Sequence, residues 1–270
     1  MEALQYVRSV PRYLATRWVG RRWGGFATSP LACLRLADVQ PPTLPGPAWV
    51  RVQPTLSGIC GSDLATIMAQ GTPYFSPFTS TPFVFGHEVV GRVLDVGAAV
   101  TRVRPGDRVV LAPPLHCAVR GLDPLCDACQ RGAIGHCRNV VRGDLAAGIQ
   151  TGYCRDSGGG WSRELVAHEL QLHRVPEAIP DEEAVLIEPF SCCLHAVERA
   201  ALVDDDVVLV LGCGTIGALT IAAVRATGSR CRLIAVARYP HQQRAATALG
   251  ADVVVGTGAG LRGELAALLG

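Results

Sequence analysis

Cys60, His87 and Glu88 offer a thiolate, an imidazole and a carboxylate, three donors that suit a zinc ion. They stand in two glycine-flanked segments, Gly58-Ile-Cys60-Gly61-Ser62-Asp63 and Gly86-His87-Glu88. A lone cysteine or histidine more often serves the core; the flanking glycines and the neighbouring acids Asp63 and Glu88 favour ligation. A catalytic zinc keeps one position open for water or substrate, so three protein ligands are expected.

A second cluster follows at Cys126-Asp-Ala-Cys129 and Cys137, with Cys117 upstream. Cys-x-x-Cys with further cysteines in a Gly/Pro-rich lobe signals a structural zinc. A redox dithiol is the alternative, but the strand–helix context of a thioredoxin-like motif is missing. The chain has 11 cysteines, an odd count, and four of them crowd into residues 117–137. With no secretory signal in view, metal binding accounts for them better than disulfides do.

The third constellation is Val207-Val-Leu-Val-Leu-Gly212-Cys-Gly214-Thr215-Ile216-Gly217, a buried strand turning into a helix through Gly-x-Gly-x-x-Gly. Gly212 makes the tight turn, Gly214 lets the backbone approach a pyrophosphate, and Gly217 lets the helix pack on the strand. Thr215 and Ile216 open that helix, whose free N–H groups and positive dipole end would face the phosphates. A plain strand–helix turn is the alternative. The next strand ends Ala235-Val-Ala237-Arg238-Tyr239, without the Asp or Glu that would hold a ribose 2′-hydroxyl. Arg238 would attract a 2′-phosphate, which favours NADP(H) over NAD(H), unless it is a solvated arginine without a role.

The elements that must position these residues fall into two parts. To about residue 178 the chain reads as β-rich. Short strands at Trp49–Val52, Val89–Val96, Arg108–Leu111 and Arg163–Ala167 alternate with Gly and Pro punctuation. Pro41–Pro47 and Thr72–Pro82 read as connections, and Asp156–Gly160 as a turn. From Asp181 to Ala201 the sequence is Ala-rich and helical. Strands at 207–211, 232–237 and 252–255 then alternate with helices at 215–227, 241–249 and 261–269, a pattern of parallel strands with crossover helices. The fold class is therefore β plus α/β, with domains at 1–178 and 179–270.

Composition excludes little but agrees. With 49% hydrophobic and 18% charged residues the chain can bury a core, and a net charge of +2 names no partner. Aromatics are sparse and no long block of like charge appears, so composition gives nucleic-acid binding no support. No apolar run approaches the roughly 18–20 residues of a membrane-spanning helix, so no membrane partner and a cytoplasmic location are expected. Arg8, Arg12, Arg17, Arg21 and Arg22 face only one nearby acid, Glu2. That composition resembles a mitochondrial transit peptide; a strand at Ala3–Val7 followed by a basic surface loop is the favoured reading.

In order along the chain, Gly-Ile-Cys-Gly-Ser-Asp, Gly-His-Glu, Pro105-Gly-Asp-Arg-Val, a cysteine lobe, Glu188-Pro189 and Gly-Cys-Gly-Thr-Ile-Gly resemble the zinc-containing medium-chain dehydrogenase/reductase superfamily of alcohol, sorbitol and threonine dehydrogenases. The resemblance implies a GroES-like β-barrel catalytic domain followed by a Rossmann domain with a doubly wound parallel sheet. It implies hydride transfer between a nicotinamide cofactor and a small alcohol, polyol or carbonyl at a catalytic zinc. Cys60 and His87 correspond to zinc ligands, and Glu88 to a ligand in the sorbitol-like branch and to a supporting residue in others. Glu188 matches a further acidic ligand or water partner, Ser62 the hydroxyl that contacts the substrate oxygen, and Asp63 the carboxylate that orients the histidine. A full-length form would be compatible with a homo-oligomer.

Three departures follow. Ala65 stands where many relatives carry a proton-relay histidine, so a proton must leave through water, Ser62 or another group. Asp123 stands where the first lobe cysteine is usual, so either Cys117 joins the site, which is favoured, or Asp123 ligates, or the site is lost. The sheet ends after three parallel strands, half of the expected Rossmann sheet, so a truncated non-catalytic zinc-binding paralogue is the rival to the dehydrogenase. A zinc-free quinone reductase is a weaker rival, because the metal donors are present.

Overall fold

A computed structural model of the protein describes residues 1–71 and 73–269. Two compact units emerge, Met1–Leu186 and Ile187–Gly270.

In the first unit, β1 (Glu2–Tyr6), α1 (Val10–Val19), β2 (Leu34–Asp38), β3 (Trp49–Ser57), α2 (Gly61–Ile67), β4 (Phe83–Val84), β5 (Val89–Val96), β6 (Arg108–Leu111), α3 (Asp127–Gln130), β7 (Leu165–His168), β8 (Leu172–Arg174) and α4 (Asp181–Ala184) follow in order. Five antiparallel strands form one sheet in the order β7-β3-β5-β6-β8, and three form another in the order β2-β1-β4. Alternation in β3 explains its seat: Val50 and Val52 are buried while Arg51 and Gln53 turn outward. Val50, Val52, Val89, Val93, Val109, Leu165 and Leu172 share one core. Burying each such side chain contributes roughly 1.5–3 kcal/mol. That core makes β3 and β5 a rigid base, and both metal-donor segments hang from their ends.

The basic stretch after β1 is a helix, not the expected loop. Tyr6 pairs with Leu34 across β1 and β2, so residues 7–33 form an excursion between neighbouring strands. Pro11 sits in the first turn of α1, where its missing N–H costs nothing, and Arg12-Tyr-Leu-Ala continues it. A 3-10 turn, Gly24–Thr28, follows. Within the connection expected over Thr72–Pro82, another 3-10 turn occupies Pro73–Phe78, and Thr72 lies outside the described residues.

In the second unit, α5 (Ile187–Ala200), β9 (Val207–Leu211), α6 (Thr215–Ala226), β10 (Arg232–Val236), α7 (Pro240–Ala248), β11 (Val253–Val255) and α8 (Leu261–Leu269) alternate. The helical run from Asp181 is two helices, broken at Val185 and Leu186, with Pro189 tolerated in the first turn of α5. The sheet is parallel, ordered β11-β10-β9. Leu233, Ile234, Ala235 and Val236 are all buried, as a central strand covered on both faces requires. Among the described residues no helix is long and apolar enough to cross a membrane.

Candidate functional site

The first donor set is assembled from both ends of the β3–β5 pair. Cys60 caps α2 just beyond β3, and His87 and Glu88 precede β5. Gly58 N–H donates to Glu88 O at 2.8 Å, tying the two segments together. A Cβ at Gly58 would collide with the Glu88 carboxylate, so glycine is needed for that approach. The Cys60 thiol, a His87 ring nitrogen and a Glu88 oxygen lie within 4.8 Å of one another.

Asp63 holds this arrangement from inside. Its carboxylate accepts from Cys60 N–H at 3.1 Å and lies 3.6 Å from His87 Nδ1. That Nδ1 is buried and has no hydrogen-bond partner. A buried imidazole with a carboxylate on its Nδ1 side, and with a thiol and a second carboxylate within 4.8 Å of a ring nitrogen, fits a dication. Burial holds His87 down at about 4, so the imidazole is neutral and able to ligate. Without an ion, burial first and the Glu88 charge second push Asp63 up to about 6, against the Cys60 N–H bond. Burial also raises Glu88. A bound dication would reverse both carboxylate shifts.

Tyr153 completes the pocket. Its hydroxyl lies 3.3 Å from Thr66 Oγ1 and donates to Asp63 Oδ1 at 3.4 Å. Its ring centre is 6.0 Å from that of His87. Burial pushes the phenol up to about 12, so it stays protonated. Sequence reasoning missed this hydroxyl.

The second donor set contains Cys117, Cys126, Cys129 and Cys137, whose sulfurs lie within 4.8 Å of one another, and Asp123 is not part of it. Cys117 Sγ and Cys137 Sγ are 3.6 Å apart. Amides converge on the sulfurs: Cys126 N–H donates to Cys117 at 3.4 Å, Asn139 N–H to Cys137 at 3.4 Å, and Asn139 Nδ2 to Cys117 at 3.3 Å. N–H donors stabilise thiolates, so the set suits a metal that takes four sulfurs. The backbone N–H groups of Arg138 and then Cys129 bring Cys126 down to about 6, while burial pushes Cys129 up to about 12. No disulfide occurs among the described residues.

Arg120 organises this lobe. It is fully buried, and its guanidinium donates to five carbonyls: Leu115, Arg142, Leu145, Ala146 and Gly148, at 2.8–3.0 Å. All five of its donors are used.

In the second unit, β9 runs into α6 through Gly212, at φ +93°, where an L side chain would be strained. A Cβ at Gly217 would strike the Gly212 carbonyl, whereas a Cβ at Gly214 would enter open space. The first bond of the helix is Ala218 N–H to Gly214 O at 2.9 Å, which leaves the N–H groups of Thr215, Ile216 and Gly217 without a partner inside the helix. A cradle of free N–H groups over open space fits a pyrophosphate. Arg238 is exposed just past β10, with its guanidinium carbon 5.3 Å from the Tyr239 ring centre. Glu188 is the second residue of α5 and belongs to this unit.

Residues 46–177 match the alcohol dehydrogenase GroES-like domain. D-arabitol-phosphate dehydrogenase of Enterococcus avium is 30% identical over 209 residues, which are 77% of this chain and 54% of that protein. (R,R)-butanediol dehydrogenase of Bacillus subtilis is 34% identical over 227 residues, 80% of this chain and 58% of the relative. The solved structure of 2R,3R-butanediol dehydrogenase from Bacillus subtilis superposes with a TM-score of 0.70 at 25% identity, covering 99% of this chain and 67% of that one. The chain spans a little over half the length of these curated relatives.

Proposed function

The chain belongs to the zinc-containing medium-chain dehydrogenase/reductase superfamily, and on that premise we propose that it serves hydride transfer between a nicotinamide cofactor and an alcohol, polyol or its carbonyl product. The observation that carries this reading is the convergence of a Cys60 sulfur, a His87 ring nitrogen and a Glu88 oxygen within 4.8 Å of one another, with Asp63 facing the buried Nδ1 of His87 from 3.6 Å. The polyol class rests on the relatives, a polyol-phosphate and a butanediol dehydrogenase.

Zinc and the nicotinamide, when bound, supply Lewis acidity and the hydride acceptor or donor. Cys60, His87 and Glu88 would hold the metal. Cys117, Cys126, Cys129 and Cys137 hold a second, structural zinc. Asp63 orients His87 from 3.6 Å. A substrate hydroxyl proton would leave through Ser62 or water to solvent, with the Tyr153 and Thr66 hydroxyls, 3.3 Å apart, beside that route in place of a histidine at Ala65. Gly212, Gly214 and Gly217, with the N–H groups of Thr215 and Ile216, receive the pyrophosphate. Arg238 receives a 2′-phosphate, so NADP(H) is preferred over NAD(H).

The test is metal content beside turnover. The wild type should hold two zinc ions, and Cys60→Ser should lose one of them together with turnover. Tyr153→Phe should keep both metals and slow alcohol oxidation by about 10²-fold, the scale of a general acid–base step. Full metal and full rate in Cys60→Ser would overturn the catalytic-zinc reading. Two zinc ions without turnover of any alcohol or carbonyl would leave the chain a non-catalytic zinc-binding paralogue.

A further inference from the structure

Neither metal set nor the glycine loop uses α1. Val10, Leu14 and Trp18 are 67%, 47% and 74% exposed. Spaced four residues apart, they form one stripe along the helix. Trp23, just beyond it, is 61% exposed. The inward face is the more polar one. Thr16 is buried, and the half-buried Tyr13 donates its hydroxyl to Gly71 O at 2.7 Å. The helix is therefore seated with its apolar stripe toward solvent, the reverse of a core-packing helix.

The charge around that stripe has one sign. Arg8, Arg12, Arg17, Arg21 and Arg22 lie on α1 or beside it, and no acid occurs from Ala3 to Ala37. None of the five is in an ion pair among the described residues. Arg12 donates to Pro30 O at 2.9 Å and Arg17 to Ala69 O at 3.3 Å, bonds that fix the side chains without neutralising them. Arg21 and Arg22 are exposed.

We propose that α1 and the turn through Trp23 form a docking surface for an anionic lipid bilayer, on which the helix lies in the interfacial plane. The charge complementarity selects this occupant. A purely apolar partner would leave the exposed guanidinium groups of Arg8, Arg17, Arg21 and Arg22 uncompensated, whereas anionic headgroups answer such groups at about 1 kcal/mol each. Tryptophan rings settle at the boundary between headgroups and acyl chains, where one edge is apolar and the other wet. A helix face is convex and offers a peptide no groove, and a bilayer needs none. At ten residues α1 can lie on a membrane but not cross it.

The experiment is vesicle flotation of the whole chain, with tryptophan emission recorded in parallel. Trp49 is buried and Trp161 half-buried, so a blue shift on binding reports mainly Trp18 and Trp23. Vesicles of phosphatidylcholine with about 30% phosphatidylserine should bind at least about tenfold more tightly than phosphatidylcholine alone, and the difference should shrink with salt. Trp18→Ser and the double variant Arg21→Glu, Arg22→Glu should each weaken binding about tenfold. Their zinc content and circular dichroism should be unchanged, because these side chains are exposed. Equal binding to both vesicle types, no binding, or full binding by Trp18→Ser would overturn the proposal. Self-association abolished by Trp18→Ser, without vesicle binding, would give the face to a second copy. Binding of soluble polyglutamate in preference to vesicles would give it to an acidic protein.

Discussion

Arg238 is exposed just past β10, the strand beside the one that leads into the proposed nucleotide loop, and has no carboxylate partner among the described residues. Its guanidinium can therefore meet a 2′-phosphate without first breaking an ion pair, and charge-assisted bonds to phosphate are strong. Arg238→Ala should weaken NADP(H) binding by at least about tenfold and change NAD(H) binding by less than about twofold. Titration calorimetry of the two cofactors measures both, and the gap should narrow at high salt. Equal affinity of the wild type for both cofactors would overturn the assignment and leave the dehydrogenase reading in place. Legibility at this scale follows sequence distance. Cys60, His87, Glu88 and the Gly212–Gly217 loop were readable because each donor sits in a short motif with its own backbone reason. Tyr153 was not, because it meets Asp63 from 90 residues away. Asn139 and Arg120 were equally hidden: an amide two residues after Cys137 and an arginine in a loop show nothing until the fold turns them inward.

Elements explain why the cysteine lobe needs two kinds of support. Residues 117–137 contain only the four-residue α3 and a 3-10 turn at Ile134–His136, too little regular structure to hold four sulfurs together. A metal held by the four sulfurs would supply the missing constraint on one side, and Arg120 supplies it on the other by tying 115 to 142–148. Cys126→Ser should release the second zinc and raise hydrogen exchange over residues 117–137 before the five-stranded sheet responds. Arg120→Met should leave several buried carbonyls unpaired and cost more than about 3 kcal/mol in chemical denaturation. If Arg120→Met unfolds at the wild-type midpoint with normal exchange in the lobe, the guanidinium is not its organiser. Strand and helix order was readable from periodicity, as β9, α6 and β10 illustrate. The helix α1 was not, for the physical reason that its apolar stripe faces water: Tyr13 and Thr16 turn inward, so arginines and outward Trp18 read as loop.

At the scale of the whole molecule, the two units have separate cores. The first gathers Tyr6, Phe85, Val93, Leu165 and their neighbours, and the second gathers Val210, Ile221, Leu233 and Ala246. The candidate ligand residues divide in the same way, with both donor sets in the first and the glycine loop in the second. Separate cores and separate ligands imply two unfolding transitions rather than one. Zinc binding of the structural kind is worth on the order of 10 kcal/mol, so chelation should collapse the transition of the first unit. NADP(H) at about a hundred times its dissociation constant should stabilise only the second, by about 2.7 kcal/mol. For a domain of 60–100 residues that is roughly 10–20 °C in midpoint, at about 4–8 °C per kcal/mol. Scanning calorimetry of the whole chain, with and without chelator and cofactor, resolves the two. A single transition that moves as a block under both treatments would mean that the cores unfold together, and the division into independent units would fail. Two transitions that answer to different ligands would place metal affinity and cofactor affinity under separate control, so that a change in one unit could be read without correcting for the other.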